Sequence, residues 1–393
     1  LPAADDIHGG KIVIHPNGTT MYFTALNLCP FGEDSTICPD PTSTNRGGVY
    51  RSLDGGKSWM ELTDGVRGLD NSNSNYFDIV IDPKDPSNVF LAQTTIEEGP
   101  DGTLYRSFNG GDSWQNMITA ANPGNFEPGW LPMDKYGPDF LSVSRSVSEP
   151  TISVPETTIR WSIGGGKLFE GLISDPGAQP TWKNLLTKRV GTVEQETWTT
   201  TGSEAIALAY SIAIDPQNSN IVYLPYGDHS YFKSTDGGGS VKVLTEFEDM
   251  KKLYGNNGDS GTLIVDELCS TRVYAATQGP HQQLEDGGVM YSCNGGGSWE
   301  TIGGHLDAKN NNDNLPRGAM LDLLVEYNGD TRNLYVANYG NKVVGGVYLL
   351  NNPDNPNNSD PNLIKYNWQK IFEHECTHAI AARDNFTTLF VGV

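Results

Sequence analysis

The chain has 393 residues, and because 37% are hydrophobic and 10% aromatic it can bury a core, which excludes a disordered protein. Its net charge of −22 argues strongly against nucleic-acid binding, which requires a basic face. The charge also disfavours anionic membranes, and polyanionic substrates unless a local basic pocket exists. No stretch approaches the roughly 20 apolar residues of a membrane-spanning helix, so we expect a soluble protein with no membrane partner.

Four segments of the chain repeat one pattern. Each has an alternating apolar run, a Ser, a turn of Asp or Asn with glycines, and a second Ser that Trp usually follows; the segments are 47–62, 102–117, 230–244 and 287–302. The gap from Ser107 to Ser234 is about twice the usual spacing, which predicts a degenerate copy between them, at 167–169 with Trp182 ending its turn.

A second pattern, strand then turn then strand, precedes each copy. It is clearest at 78–93 and 211–227, where Asp-Pro forms the turn, and the same template fits 11–25, 262–277, 321–338 and 378–393. Alternating apolar residues between Gly, Asn, Asp and Pro turns indicate β-strands, and no segment has the pattern of an amphipathic helix. One repeat unit is therefore four short antiparallel strands in about 50–60 residues.

Four-stranded sheets repeated around an axis form a β-propeller. The sequence predicts an all-β fold, a single seven-bladed β-propeller domain over 1–393 with four-stranded antiparallel blades. The blades are predicted to start near residues 9, 76, 139, 208, 260, 318 and 378. Because 378–393 supplies only two strands, the last blade is predicted to be incomplete or reduced.

The repeated turns resemble the Asp box (BNR repeat), with the pattern S-x-D-x-G-x-[ST]-W. Residues 52–59 fit it completely, 107–114 and 292–299 have Asn109 and Asn294 for the Asp, and 234–241 ends in Val241 instead of Trp. With the Ile-Asp-Pro hairpins, these turns make the chain similar to the Asp-box β-propeller superfamily, nearest its xyloglucanase and sortilin-like branch.

This resemblance implies that Asp54, Asp236 and their Asn counterparts are structural, because the boxes of relatives lie at the periphery. It transfers no catalytic pair. Xyloglucanase-like enzymes place two aspartates in a cleft between two propellers, and this chain has the length of one.

Propellers bind ligands at the mouth of the central channel, and the strand map predicts which connections form that face. Six of the seven histidines fall on it: His8, His229, His281, His305, His374 and His378. They could form a functional site or be scattered loop residues. His374 to His378 reads H-E-x-x-H, but it bridges two strands and leaves no room for a zinc-binding helix. We therefore predict no cofactor, with a divalent metal at His374 and His378 as the alternative.

Aromatic side chains on the long connections of the same face suggest sugar binding, since an exposed ring can stack on a pyranose. The candidate substrate-binding residues are Trp130, Tyr136, Trp198, Tyr226, His281 and Tyr339. The alternative is that these rings pin long loops onto the propeller.

Glycoside hydrolysis needs two carboxylates, and a lyase needs a base and a cation. The carboxylate candidates are Asp5, Asp6, Asp78, Glu204, Asp228, Glu285 and Asp313. Among all groups we favour Asp228 and His229, which follow a strand directly in a short loop. His8 and Arg317 complete the candidate catalytic set and suit a lyase.

Cysteines and sequons suggest the compartment. Cys29 and Cys38 enclose a short polar loop and are predicted to form a disulfide. N-glycosylation sequons begin at Asn17, Asn357 and Asn385, and with the acidic charge they favour a secreted, extracellular glycoprotein.

Together these features predict a secreted carbohydrate-active enzyme, a glycoside hydrolase or polysaccharide lyase, acting on plant or microbial glycan at the channel mouth. Its partner would be a poly- or oligosaccharide, and the protein would be a monomer. The alternative is a non-catalytic glycan- or peptide-binding propeller, lectin-like or sortilin-like.

Overall fold

The computed structural model describes the following residues: 8–26, 48–62, 69, 74–82, 85–95, 103–117, 126–127, 138–145, 157–163, 167–173, 181–185, 187–189, 198–200, 212–226, 230–244, 260–277, 287–304, 314–339, 345–353, 366–374, 377, 379–383 and 386–392. All regular secondary structure in these ranges is β-strand. None of these residues forms a helix that could span a membrane.

Five sheets are complete blades of four antiparallel strands, and in each the strand order follows the chain. The first two contain β1 (His8–Ile14), β2 (Met21–Leu26), β3 (Gly48–Ser52), β4 (Met60–Glu61), and β5 (Ser74–Ile81), β6 (Val89–Thr95), β7 (Thr103–Ser107), β8 (Gln115–Asn116). The other three contain β16 (Ala213–Asp215), β17 (Asn218–Tyr226), β18 (Ser230–Ser234), β19 (Lys242–Val243), then β20 (Ser260–Val265), β21 (Val273–Thr277), β22 (Val289–Ser292), β23 (Glu300–Gly303), and β24 (Ala319–Asn328), β25 (Thr331–Tyr339), β26 (Gly346–Asn351), β27 (Gln369–Glu373).

Three further sheets depart from this plan. One has five strands, because β9 (Phe126–Glu127) pairs in parallel with the last of β10 (Pro138–Arg145), β11 (Thr157–Ile163), β12 (Lys167–Ile173) and β13 (Thr181–Asn184). The others are strand pairs, β14 (Thr187–Arg189) with β15 (Trp198–Thr200), and β28 (Ala379–Arg383) with β29 (Thr388–Gly392).

The described residues therefore contain five complete four-stranded blades, and the predicted count of seven is not reproduced. The departures coincide with weakened repeats. The β9–β13 sheet has no glycine turn of the repeated kind, and the template at 378–393 has only its first two strands. The prediction of an all-β propeller is confirmed.

Successive sheets are held together by apolar side chains on both faces of each blade. In β2, Tyr22 packs with Ile79 and Trp114 of the β5–β8 blade. Its neighbour Met21 points to the opposite face and packs with Ala379 of β28. Successive side chains along these strands therefore point to two faces that are both buried, and not to one buried and one solvent-exposed face.

The sheets close into a ring. One strand from every sheet except the β14–β15 pair contacts its counterpart in the next sheet, in a complete cycle of β1, β5, β10, β16, β20, β24 and β28, which returns to β1. The β28–β29 pair closes the cycle, because Ala379 and Ala381 pack on Ile12 of β1 while Ile380 packs on Tyr335 of β25. The strands of this cycle therefore lie on the inside of the ring.

A shared hydrogen-bond pattern organises the repeated glycine turns. In the β7–β8 turn, the Ser107 hydroxyl donates to Asn109 Oδ1 (2.9 Å) and accepts from the Gly111 N–H (2.7 Å). Gly110 and Gly111 adopt φ of 66° and 93°, which glycine tolerates best. The turns at Ser52, Ser234 and Ser292 repeat the first two bonds with Asp54, Asp236 and Asn294. The resemblance-based expectation that these residues are structural agrees with this bonding.

Removing the Ser107 hydroxyl should destabilise the protein. Ser107 is fully buried, so Ser107→Ala leaves the Gly111 N–H without its acceptor, and we expect the free energy of unfolding to fall by about 1–3 kcal/mol. Urea denaturation of the wild type and the variant would measure this fall in the free energy of unfolding. Ser113→Ala, which removes a hydroxyl from the exposed end of the same turn, should change the value by less than about 0.5 kcal/mol. Equal losses in both variants would contradict the assigned role of Ser107.

Candidate functional site

Three charged residues occupy equivalent positions within three strands of the central cycle. Lys11 precedes Ile12 in β1, Asp78 precedes Ile79 in β5, and Asp322 precedes Leu323 in β24. The strand register shifts beside each of them, between Gly9 and Ile12, between Tyr76 and Asp78, and between Met320 and Asp322. Such bulges re-aim side chains. We call Lys11, Asp78 and Asp322 the inner charge cluster.

Backbone groups orient the two carboxylates of the cluster. Asp78 Oδ1 accepts a hydrogen bond from the Ile79 N–H (2.9 Å), and Asp322 Oδ1 accepts one from the Leu323 N–H (3.0 Å). Asp322 Oδ2 also accepts from the Ile380 N–H (3.0 Å) of β28. Asp322 therefore joins the last complete blade to the closing strand pair.

Burial and mutual attraction set the ionisation of the cluster. The pKa of Lys11 is raised, chiefly by the negative charge of Asp322 and also by Asp78, against the opposing effect of burial. Burial raises the pKa of the Asp322 carboxyl, while Lys11 and the two backbone N–H groups act in the opposite direction. The cluster combines a cation held in its charged form with a carboxyl group that retains its proton more strongly than usual.

The raised pKa of Asp322 predicts a specific pH dependence. Because the folded state binds this proton more tightly than the unfolded state, the contribution of Asp322 to stability falls as pH rises from about 4 through its folded pKa. Asp322→Asn removes that titration. The difference in unfolding free energy, wild type minus variant, should therefore decrease between about pH 4 and pH 7 in urea titrations. A difference that stays constant or grows with pH would contradict the shift.

Most of the predicted site residues lie outside the described residues. These are Asp228, His229, Trp130, Tyr136, His281 and His378, with Cys29, Cys38, Asn357 and Asn385. Of His8, Trp198 and Tyr226 the structure describes the backbone. His8 begins β1 opposite Leu26, Trp198 begins β15 opposite Arg189, and Tyr226 ends β17 opposite Ser230.

The structure describes the side chains of two of the predicted catalytic and substrate-binding residues, Arg317 and Tyr339. Arg317 is half-buried just before β24. Tyr339 ends β25 with its side chain 1% exposed, so no ring face is available for stacking on a sugar, and it belongs to the core. The prediction of an exposed Tyr339 is wrong because the residue is part of β25, where it pairs with Ala319, and does not lie in a connection.

Of the two histidines predicted as the alternative metal site, the structure describes only His374. His374 is exposed and stacks on Phe372 with ring centroids 6.4 Å apart. Within the described ranges, no group of three or more His, Cys, Asp or Glu side chains could hold a metal ion. Cys269 and Cys293 are free thiols.

Sequence reasoning included Asp78 among the carboxylate candidates but missed Lys11 and Asp322. A signal was available, because the strand template places Asp322 before Leu-Leu-Val as it places Asp78 before Ile-Val-Ile, and Lys11 also precedes Ile-Val-Ile. The template could not predict that ring closure brings the first, second and sixth of the predicted repeat units close together.

A closed ring of antiparallel sheets stacked face to face around an axis defines a β-propeller. No family model matches the chain. A xyloglucanase from Paenibacillus sp is 31% identical over 210 residues, which are 50% of this chain and 18% of the xyloglucanase, so the chain spans a small part of that relative.

One solved structure supports the same class. The structure of YCF48 bound to D1 peptide matches with a TM-score of 0.54 at 13% identity, covering 100% of this chain and 91% of that chain, which supports the propeller fold. The GH74 enzyme of Niastella koreensis has a TM-score of 0.30 at 15% identity, over 100% of this chain and 59% of that chain.

Proposed function

We propose that the chain is a carbohydrate-active β-propeller that binds a poly- or oligosaccharide at the channel mouth and hydrolyses it. The observation that carries this proposal is the 210-residue similarity to a xyloglucanase at 31% identity. The inner charge cluster supports it, because it brings two carboxyl groups, those of Asp78 and Asp322, close to the Lys11 cation. Plant or microbial glycan is the substrate class that we infer.

The chemistry follows from the need for two carboxylates, one of which must carry a proton to the leaving oxygen. A carboxyl with a raised pKa suits that acid role, and burial gives Asp322 this property. Asp78, whose charge acts on the same Lys11, is the candidate for the second carboxylate. Asp228 and His229 remain proposed catalytic residues, and a lyase acting through His229 with His8 and Arg317 remains the second reaction type.

A screen of neutral and uronate-containing polysaccharides would test the proposal. Release of reducing ends without ultraviolet absorbance indicates a hydrolase, and absorbance of an unsaturated uronate indicates a lyase. Asp78→Asn and Asp228→Asn should each lower the rate at least about 100-fold if the residue is a catalytic carboxylate. Asp330→Asn, at the opposite end of the β24–β25 hairpin, is the matched control and should leave the rate unchanged. No release from any glycan would contradict an enzymatic role.

Non-catalytic binding is the second candidate. The chain spans only 18% of the xyloglucanase, and the propeller of similar fold, YCF48, is described as bound to a peptide. Saturable glycan or peptide binding without product release would favour this alternative.

We also propose that the protein is a secreted, monomeric glycoprotein with a Cys29–Cys38 disulfide. Asn17 supports this proposal, since it lies exposed in the turn between β1 and β2. Expression through a secretory pathway should give a protein whose mass falls after treatment with an N-glycosidase. Asn17→Gln should remove one glycan, and unchanged mass in both cases would contradict glycosylation at Asn17.

A further inference from the structure

The Asn-Gly pairs of the chain differ in how the fold holds them. The sequence contains five such pairs, and the structure describes four of them, which begin at Asn17, Asn109, Asn294 and Asn328. Asn257-Gly258 lies outside the described residues. Because glycine has no side chain, nothing on it hinders an attack by its backbone nitrogen on the side chain of the preceding Asn. The surroundings of each pair therefore decide which of them reacts.

Such an attack requires two groups to be free. The backbone N–H of the Gly must lose its proton before its nitrogen bonds to Cγ of the Asn, so a hydrogen bond from this N–H to a carbonyl opposes the reaction. The side-chain amide must also turn towards its own main chain, and hydrogen bonds that fix the amide oppose this rotation. In a pair held by such bonds the turn has to open first, which adds the free energy of local opening to the barrier.

The glycine turn between β7 and β8 holds both groups of its pair. Asn109 Oδ1 accepts from the Ser113 N–H (3.0 Å), and Asn109 Nδ2 donates to Ser113 Oγ (3.0 Å). The Gly110 N–H donates to the Ser87 carbonyl (2.9 Å). The amide and the attacking nitrogen are therefore both fixed.

The glycine turn between β22 and β23 repeats this arrangement. Asn294 Oδ1 accepts from the Ser298 N–H (2.8 Å), and Asn294 Nδ2 donates to Ser298 Oγ (3.0 Å). The Gly295 N–H donates to the Thr271 carbonyl (2.7 Å). These two asparagines therefore share one sequence neighbour and one set of restraints.

Asn17, in the turn between β1 and β2, is restrained as well. Its Oδ1 accepts from the N–H groups of Thr19 (3.0 Å) and Thr20 (2.9 Å), and its Nδ2 donates to Thr20 Oγ1 (3.0 Å). The Gly18 N–H donates to the His15 carbonyl (2.9 Å). Exposure alone therefore does not free an Asn-Gly pair in this protein.

Asn328 lacks these restraints. It is exposed at the end of β24, where two residues connect it to its partner Thr331 in β25. The Thr331 hydroxyl donates to the Asn328 carbonyl (2.8 Å), but the Asn328 side-chain amide and the Gly329 N–H form no hydrogen bond with any described residue. Gly329 adopts a φ of 59°, and a Cβ there would meet no atom within 4 Å, so the space around the attacking nitrogen is open.

We propose that Asn328 is a site of spontaneous deamidation and isoaspartate formation. The Gly329 nitrogen gives its proton to solvent and bonds to Asn328 Cγ, the Cγ–Nδ2 bond breaks, and ammonia leaves, which closes a succinimide ring. Water then opens the ring. Cleavage between the ring nitrogen and Cγ gives Asp, and cleavage between the ring nitrogen and the main-chain carbonyl carbon gives isoaspartate. No group is oxidised or reduced, and water is the only co-reactant.

The products change the charge and the backbone of the hairpin turn. Both place a new carboxylate close to Asp330, and isoaspartate also adds a methylene group to the main chain. The preceding residue, Tyr327, accepts a hydrogen bond at its hydroxyl from the Glu267 N–H (2.8 Å) of the adjacent blade. The altered turn therefore adjoins a contact between two blades. Asp322 lies towards the other end of β24, so the inference is independent of the proposed glycan hydrolysis.

Peptide mapping of the full chain after incubation at mildly alkaline pH tests the proposal. The peptide that contains Asn328 should gain about 1 Da, because OH replaces NH2, and should separate into an Asp and an isoaspartate form. Asn109 and Asn294 are matched controls in the same sample, since Gly follows each of them, and they should react at least about 10-fold more slowly. In guanidinium chloride, which removes the restraints of the fold, the three rates should agree within about 3-fold.

Asn328→Gln should abolish the mass change in this peptide, because its longer side chain would have to close a larger ring, whereas Asn17→Gln should leave the change unaltered. Circular dichroism verifies that both variants fold, as expected for exposed positions. Three results would overturn the proposal: equal rates at Asn328 and the two control asparagines in the folded chain, formation of Asp without isoaspartate, or no reaction at Asn328 in the folded chain while it reacts in guanidinium chloride.

Discussion

Replacing Arg332 with Met is expected to lower the free energy of unfolding by about 3–5 kcal/mol. The carboxylate of Asp266 is fully buried and accepts hydrogen bonds from Arg332 Nε and Nη2, which reach it from the adjacent blade. Met retains much of the side-chain volume but donates no hydrogen bond, so the carboxylate loses its closest cation. Arg272 Nη1 lies 3.8 Å from Asp266 Oδ2, too far for a hydrogen bond, and compensates only in part.

Urea denaturation of the full chain would measure this loss. The control is Lys370→Ala, which breaks the surface ion pair between Lys370 and Glu373 and should produce no measurable change. A loss below about 1 kcal/mol for Arg332→Met would mean that the Asp266 carboxylate is accommodated without its partner from the next blade.

Trp368→Ala should cost about 3–5 kcal/mol of unfolding free energy. Trp368 precedes β27, is 2% exposed, and packs between the β20–β23 and β24–β27 blades. Its indole Nε1–H donates to the Ile302 carbonyl at 2.8 Å. Gly303 is matched to this ring, since a Cβ there would lie 2.8 Å from the indole nitrogen. Truncation therefore creates a cavity and also removes the donor to a buried carbonyl.

Two variants separate these contributions in the same denaturation assay. Trp368→Phe keeps most of the packing and loses the indole donor, so we expect the free energy of unfolding to fall by about 1–2 kcal/mol. Val243→Ala removes methyl groups from an exposed position and should change stability by less than about 0.5 kcal/mol. Equal losses for Trp368→Ala and Trp368→Phe would assign the whole effect to the hydrogen bond.

The sequence was sufficient to predict the β-propeller class and most strand pairs of the complete blades. The Asp-Pro template at 211–227 coincides with β16 and β17, and the glycine-turn segment at 287–302 contains β22 and all of β23 except its last residue. Turn chemistry and alternation act locally, so a single sequence reports them well.

Other features depended on contacts that a sequence does not contain. The parallel addition of β9 to β13 joins segments with no shared pattern, and it altered the predicted blade plan. The inner charge cluster brings Lys11 beside Asp322 only because the ring closes. Burial of Tyr339 could not be inferred either, because both faces of these blades are packed and alternation does not separate buried from exposed residues.

Closure by the β28–β29 pair also bears on the order of folding. Its contacts with β1, such as Ala379 with Ile12, join residues at nearly opposite ends of the chain. The entropy lost on forming a contact grows with the length of chain it encloses, whereas contacts within one hairpin enclose few residues. Individual hairpins can therefore form early and independently, while the packing of β28 on β1 requires the intervening sheets to be in place and is the natural last step of folding.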